Sequence, residues 1–250
     1  MRYVRFIKNG KIGYGLLEGE EIEVLERNFL DGIFETDEKV RLEDVRLLSP
    51  VSPGKALCIG LNYREHIGEL EMDRPEKPVV FIKPTTALLN PGEHIIRPEM
   101  SKRVDYEAEL CVVIGRKAKD VKIEDAYSYV LGYTIANDVT ARDLQEKGGQ
   151  WTICKGFDTF MPIGPYISDE VNPCNLHIQS RLNGKVMQDA DTSLLIFKID
   201  YLISYLSSVM TLEKGDVILT GTPKGVSPMA KGDVIECEIE GLGILKNTML

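Results

Sequence analysis

Apolar and polar residues alternate along much of the chain, and stretches with helical spacing are few. RYVRFI alternates from Arg2, Asn9-Gly10 is a two-residue hairpin signal, and IGYGLLEGEEIEVL continues in strand-like pieces. Residues 1–50 are therefore expected to form a small β-rich N-terminal domain. Leu48 to Gly54 holds two prolines and a glycine, which suits an extended link, so the main domain is expected over 51–250.

In that larger part KALCIG (55–60), PVVFIKPTTALL (78–89), VDYEAELCVVIG (104–115) and YVLGYTIAND (129–138) read as strands. A further apolar strand is expected just before Lys155 in QWTICKGFDTFMPIGP, and Asn183-Gly184 marks a second hairpin in LHIQSRLNGKVMQDA. Thr140 can cap a short helix, ARDLQEK, which Gly148-Gly149 stops. One substantial helix is predicted over Thr192–Met210. There Leu195, Ile199, Leu202, Ile203, Leu206 and Met210 recur every three or four residues, a stripe read as core. KGDVI occurs twice, at 214–218 and 231–235, each a glycine turn feeding a strand. These segments together predict a mainly β chain with short helices.

Candidate chemistry centres on Val104–Gly115. In a strand the side chains of Glu107 and Glu109 share a face, and a carboxylate pair beside a buried apolar run relaxes by taking up a proton or binding a cation. The plainer alternative is an edge strand whose acidic face is solvated. His66 and Glu69, three apart in LNYREHIGELE, share a face of one helical turn, and a carboxylate bonded to an imidazole fixes its tautomer for general-base work. The Glu, Arg and Gly content of this segment, followed by Pro75 and Pro78, suits a mobile lid. Lys83 is either an edge-strand gatekeeper or a site cation. Asp138 at a strand mouth is either a turn residue or a third hard oxygen ligand. Lys155 can offset surplus negative charge and hold a substrate oxygen, and Arg142 and Gln145 are further substrate candidates. ILTGTPKGV (218–226) lacks the spacing of a phosphate loop. Its small residues let backbone N–H groups approach a ligand carboxylate, which makes Gly221 and Thr222 candidates.

Composition narrows the class. A net charge of −9 at pH 7 argues against a nucleic-acid surface. No apolar run reaches the roughly 20 residues of a membrane span, and the start MRYVRFIKNG lacks the apolar core of a signal peptide, so a cytoplasmic location is expected. Five cysteines without a C-x-x-C pair are read as reduced thiols, mostly in the core.

Six blocks in order carry a family likeness: Gly60-Leu61-Asn62-Tyr63 with His66 and Glu69, Phe81-Ile82-Lys83-Pro84, and Asp105-Tyr106-Glu107-Ala108-Glu109-Leu110. The others are Asn137-Asp138-Val139-Thr140-Ala141-Arg142-Asp143, Lys155-Gly156-Phe157-Asp158-Thr159 and Thr220-Gly221-Thr222-Pro223-Lys224-Gly225-Val226. From about residue 50 the chain resembles the fumarylacetoacetate hydrolase family, in its short bacterial and archaeal form. One departure is Ser227, where many relatives continue with glycine. The resemblance implies a mixed β-sandwich roll, a homodimer, and Mg²⁺ or Mn²⁺ (Ca²⁺ also suits the donors) held by Glu107, Glu109 and Asp138. It further implies a catalytic His66–Glu69 dyad on a lid, a catalytic Lys155, and Thr222 near the substrate carboxylate. The expected substrate is a small 2-oxo acid or dicarboxylate. The expected reaction runs through a metal-bound enolate and hydrolyses the C3–C4 bond of an acylpyruvate. Oxaloacetate decarboxylation or tautomerisation, 5-carboxymethyl-2-hydroxymuconate (2-hydroxyhepta-2,4-diene-1,7-dioate) isomerisation, and a catalytically silent metal-binding protein are the alternatives.

Overall fold

The computed structural model describes residues 1–146 and 148–250. Two sheets dominate it. In the larger, the strands run in the order Glu35–Arg41, Glu21–Leu25, Lys11–Glu18, Arg2–Lys8, Met161–Ser168, Val130–Asn137, Ala108–Ile114, Val217–Leu219, Ala56–Gly60 and Val79–Lys83. The smaller has the order Lys185–Asp191, His177–Leu182, Val234–Ile239, Gly243–Met249 and His94–Ile95. It packs across Ala108–Ile114, Val130–Asn137 and Met161–Ser168, and Leu110, Ile135, Ile163, Ile178, Cys237 and Leu245 join in one buried core. Most neighbours are antiparallel; Val217–Leu219 runs parallel to Ala56–Gly60, so the arrangement is a mixed β-sandwich roll.

Both Asn-Gly pairs turn hairpins: Arg2–Lys8 returns as Lys11–Glu18, and His177–Leu182 as Lys185–Asp191. The first 50 residues keep a small core of their own, with Val4, Phe6, Leu17, Ile22 and Val40, and join the large sheet where Arg2–Lys8 pairs with Met161–Ser168. No described helix is long and apolar enough to cross a membrane. The five cysteines are free thiols, and all but Cys174 are buried.

Several sequence expectations shift. The predicted helix over Thr192–Met210 begins only at Ile199 and runs to Val209 (α3), because 192–194 form a single tight turn capped by the Asp191 carboxylate. Of its stripe, Leu195, Ile199, Leu202, Ile203 and Leu206 are buried as expected. The helix expected over ARDLQEK is a turn at Arg142–Leu144, since Thr140–Ala141 pairs instead with Val104–Asp105 and draws the chain out of helical register. Lys147, within that expected helix, lies outside the described residues. Lys155 follows no strand: it ends a four-residue helix, α2 (Thr152–Lys155), ahead of the strand Met161–Ser168.

The repeated KGDVI turns out to be one turn used twice. In each copy the Asp carboxylate accepts a hydrogen bond from the backbone N–H three residues earlier, Glu213 to Asp216 and Ala230 to Asp233, both at 2.7 Å. The first copy also ties down the start of Ala56–Gly60, because buried Asp216 accepts the Lys55 N–H at 3.0 Å and pairs with its ammonium. Asp216→Ala should therefore cost about 2–3 kcal/mol in urea unfolding, whereas Asp233→Ala, with a neutral set of partners and more solvent, should cost about 1 kcal/mol; equal costs would show that the Lys55 link contributes nothing.

Candidate active site

The central strand Ala108–Ile114 is paired on both edges, by Val130–Asn137 and by Val217–Leu219, so its carboxylate side chains cannot be a solvated edge face. It is also shorter than the sequence implies. Val104–Asp105 leaves the sheet to pair with Thr140–Ala141, and Tyr106 and Glu107 bridge the break. Glu107 is fixed there by its backbone: its N–H donates to Asn137 Oδ1 at 2.9 Å, and its carbonyl accepts the Asp138 N–H at 2.8 Å. Glu107 and Asp138 thus arrive side by side through main-chain bonding, and Glu109 joins them from the strand. One carboxylate oxygen from each of the three lies within 4.8 Å of the others, and all three residues are buried.

Cations from separate segments hold this cluster. Lys155 Nζ donates to Glu107 Oε2 at 2.6 Å and to Asp138 Oδ2 at 2.8 Å. Lys83, wholly buried, pairs with the other Asp138 oxygen and donates to Val139 O at 3.0 Å. Arg142 pairs with Glu107 Oε1, donates from Nε to buried Asp105 at 2.9 Å, and from Nη1 to Gln145 Oε1 at 2.7 Å. The electrostatic consequences differ by site. Burial pushes Glu107 up, but Lys155 and Arg142 outweigh it and hold its carboxyl well below the ordinary range. Burial followed by the Asp138 and Glu107 charges pushes Glu109 well above that range. Burial pulls Lys155 down, and the Asp138 and Glu107 charges more than reverse it, so the ammonium stays charged. Glu109 has no ion pair of its own among the described residues, only the Gly221 N–H at 2.8 Å. Three hard oxygen donors, of which Glu109 has no cation partner among the described residues, fit a divalent cation of the Mg²⁺ and Mn²⁺ kind.

Over the same cleft lies helix α1 (Arg64–Glu69), reached through Leu61 in a left-handed backbone conformation. His66 is buried, with Nδ1 2.9 Å from Glu69 Oε2. Glu69 also accepts the Gly225 N–H at 3.0 Å; burial raises its carboxyl, and the two hydrogen bonds outweigh that and lower it. An ionised Glu69 can only accept, so the hydrogen is on Nδ1 and Nε2 is left as the basic atom.

Eight of the sequence candidates, His66, Glu107, Glu109, Asp138, Arg142, Gln145, Lys155 and Thr222, line the one cleft. Lys83 and Gly221 stand behind it, one against Asp138 and the other against Glu109. Gly221 is confined to glycine: its φ is +100°, and an added Cβ would fall 2.7 Å from Asn62 Cβ. Sequence reasoning missed Gln188, fully buried in the strand Lys185–Asp191. Its Oε1 accepts the Ala108 N–H at 3.0 Å, and its Nε2 donates to Thr222 Oγ1 and Pro223 O, both at 2.7 Å. Thr222 in turn donates its hydroxyl hydrogen to Ala108 O at 2.9 Å. Gln188 so fastens the Gly221–Gly225 loop to the peptide between Glu107 and Glu109. Nothing in an alternating hairpin marks that position; only the fold brings it there.

Comparison with known proteins now bears on identity. Residues 55–250 match the family described as fumarylacetoacetate (FAA) hydrolase, C-terminal, and residues 1–50 match one described as Rv2993c-like, N-terminal. The chain belongs to the fumarylacetoacetate hydrolase family. Within that family it is 42% identical over 218 residues to the mitochondrial oxaloacetate tautomerase Fahd2a of Rattus norvegicus, covering 82% of this chain and 70% of that protein. Its fold superposes with a TM-score of 0.94, at 40% identity, on the 5-carboxymethyl-2-hydroxymuconate delta-isomerase of Mycobacterium smegmatis, covering 100% and 99% of the two chains. The fumarylpyruvate hydrolase of Pseudomonas aeruginosa, solved with Mn²⁺ and pyruvate, superposes with a TM-score of 0.75 at 32% identity, covering 86% of this chain and 92% of that one.

Replacing Gln188 with Leu leaves the Ala108 N–H and Pro223 O without partners in the interior. It should lower unfolding stability by about 2–3 kcal/mol in urea titration; an unchanged midpoint would mean that the loop is held by other contacts.

Proposed function

We propose that the chain is a divalent-cation-dependent enzyme acting on a small 2-oxo acid, and that it hydrolyses the C3–C4 bond of an acylpyruvate to a carboxylic acid and pyruvate. The observation that carries this reading is that His66, bonded to Glu69, borders the same cleft as the three buried carboxylates. Glu107, Glu109 and Asp138 would hold Mg²⁺ or Mn²⁺, which when bound supplies a Lewis acid toward the oxygens of the 2-oxo acid.

The chain's own residues account for the rest. Asp105, Glu107, Glu109 and Asp138 are matched in number by the cations Lys83, Arg103, Arg142 and Lys155, so a dication makes the cluster net positive and favourable to an anionic substrate. Gln145 Oε1 is occupied by Arg142, which leaves its NH₂ to orient a substrate oxygen. His66 Nε2 takes a proton from a water attacking the C4 carbonyl, and Glu69 stabilises the imidazolium that results. The tetrahedral adduct collapses by breaking C3–C4, with the electron pair passing to C3 and on to the C2 oxygen. Lys155 and Arg142, fixed cations of the cleft, offset that charge, and proton return to C3 from His66 completes pyruvate.

A second reading follows from the 42% identity to a protein named oxaloacetate tautomerase. It keeps the 2-oxo acid head and moves only a proton, with no attacking water.

Proton NMR separates the two. With Mg²⁺ and acetylpyruvate, acetate and pyruvate should grow in step and stop on addition of EDTA. His66→Ala should slow this by roughly 10²–10⁴-fold, and calorimetric Mn²⁺ affinity should not change. Intact acetylpyruvate, with oxaloacetate interconverting its keto and enol forms faster than in buffer, would replace hydrolysis by the tautomerase reading. Separately, Glu109→Ala should abolish the calorimetric Mn²⁺ signal without unfolding the chain; undiminished binding would place the cation elsewhere.

A further inference from the structure

The hydrolytic role of His66 depends on Glu69, and Glu69 sits on a six-residue helix with a partly exposed side chain. Something must keep it from swinging into solvent. The exposed ion pair between Lys224 and Glu65, at 2.7 Å, is too solvated to do so. The Gly225 N–H, 3.0 Å from Glu69 Oε1, is the tie that remains.

Gly225 is itself held from the carboxylate side. Tyr106, directly before Glu107, is buried, and its hydroxyl lies 2.9 Å from both Gly225 O and Ser227 Oγ. A carbonyl only accepts, so the phenol donates to Gly225 O and takes its second bond from the Ser227 hydroxyl. Gly225 has φ +104°, and a Cβ there would fall 2.1 Å from Met187 O, so the loop is pressed against the hairpin strand on its other side. Ser227 is also the residue at which this sequence leaves the glycine pattern of many relatives. The two polar groups of Gly225 thus join Tyr106 to Glu69, and Glu69 to His66.

We propose that Tyr106 is a positioning residue for the His66–Glu69 dyad, acting through the Gly225 backbone that its hydroxyl and Ser227 hold in place. The proposal rests on the reading of His66 as the base, and it assigns Tyr106 no contact with substrate. Its consequence is that the step needing an activated water depends on a phenol buried under the carboxylate strand, whereas cation binding does not.

Tyr106→Phe deletes only the oxygen that bonds Gly225 O and Ser227 Oγ and is the direct test. Acetylpyruvate turnover should fall roughly 10-fold in kcat, the scale of a lost outer hydrogen bond, with KM and Mn²⁺ affinity unchanged and the melting temperature lowered by no more than a few degrees. Ser227→Ala should move kcat the same way by less. The chain has only three histidines, so long-range ¹H–¹⁵N spectra can follow His66 without turnover. The wild type should show a single Nδ1–H tautomer and Tyr106→Phe a mixture of the two. An unaltered His66 signal and kcat in Tyr106→Phe would overturn the proposal. So would kcat, Mn²⁺ affinity and melting temperature falling together, because that is the signature of a scaffold residue. A wild type that hydrolyses nothing, with His66 still shifting tautomer in the variant, would remove the hydrolytic reading and leave the positioning intact.

Discussion

Bringing Glu107, Glu109 and Asp138 together in the interior is the constraint on which the rest of the site depends. Three carboxylates out of water repel one another and lose their hydration, and no single neighbour offsets both costs. The chain meets them by drawing cations from three places, Lys83 at the end of one strand, Lys155 at the end of α2 and Arg142 in a turn. Each is tied to a different oxygen, so the cluster is fixed in geometry as well as in charge. Glu109 is the exception, held by one N–H and pushed toward its neutral form, and it is the position where a bound cation would gain most.

The backbone explains why these side chains can be so close. A continuous strand through Val104–Gly115 would set Glu107 and Glu109 on one face without bonding Glu107 to Asp138. The observed break turns Glu107 out of the ladder and bonds its main chain to Asn137 and Asp138, so two carboxylates of the cluster are placed by their backbones. Asp105, released from the sheet at the same break, is free to hold Arg142. One local departure from β-geometry thus organises three acidic residues and a cation.

What the sequence reveals follows from the range of the interactions involved. Both Asn-Gly hairpins, the short strands and the apolar stripe of α3 are local features, and they are legible because turn chemistry and side-chain period act over a few residues. The His66–Glu69 contact is likewise local, three residues apart on one turn. The family motifs mark the remaining cleft residues but not their tasks: Lys83 and Gly221 look like substrate contacts from their blocks, yet they stand behind Asp138 and Glu109. Gln188 leaves no trace in the sequence, since its role exists only once the hairpin Lys185–Asp191 has crossed over Ala108 and the Thr222 loop. The break before Ala108 is hidden for the same reason: β-propensity continues through Tyr106, and only the competing pairing of Val104–Asp105 with Thr140–Ala141 interrupts it.

The two halves of the site differ in how they are built, and that difference bears on chemistry. The carboxylate cluster lies at the ends of strands paired at both edges and is braced by buried cations, so its geometry is set by the sheet. His66 sits on α1, a six-residue helix outside the sheets whose Glu69 is partly exposed. Proteins similar to this chain carry the names of a tautomerase, an isomerase and a hydrolase. A rigid carboxylate cluster beneath a lightly attached imidazole is a construction that suits such a spread. On the proposed reading, stabilising electron density at C3 serves all three reactions, and the position of the His66 imidazole would decide whether water joins them.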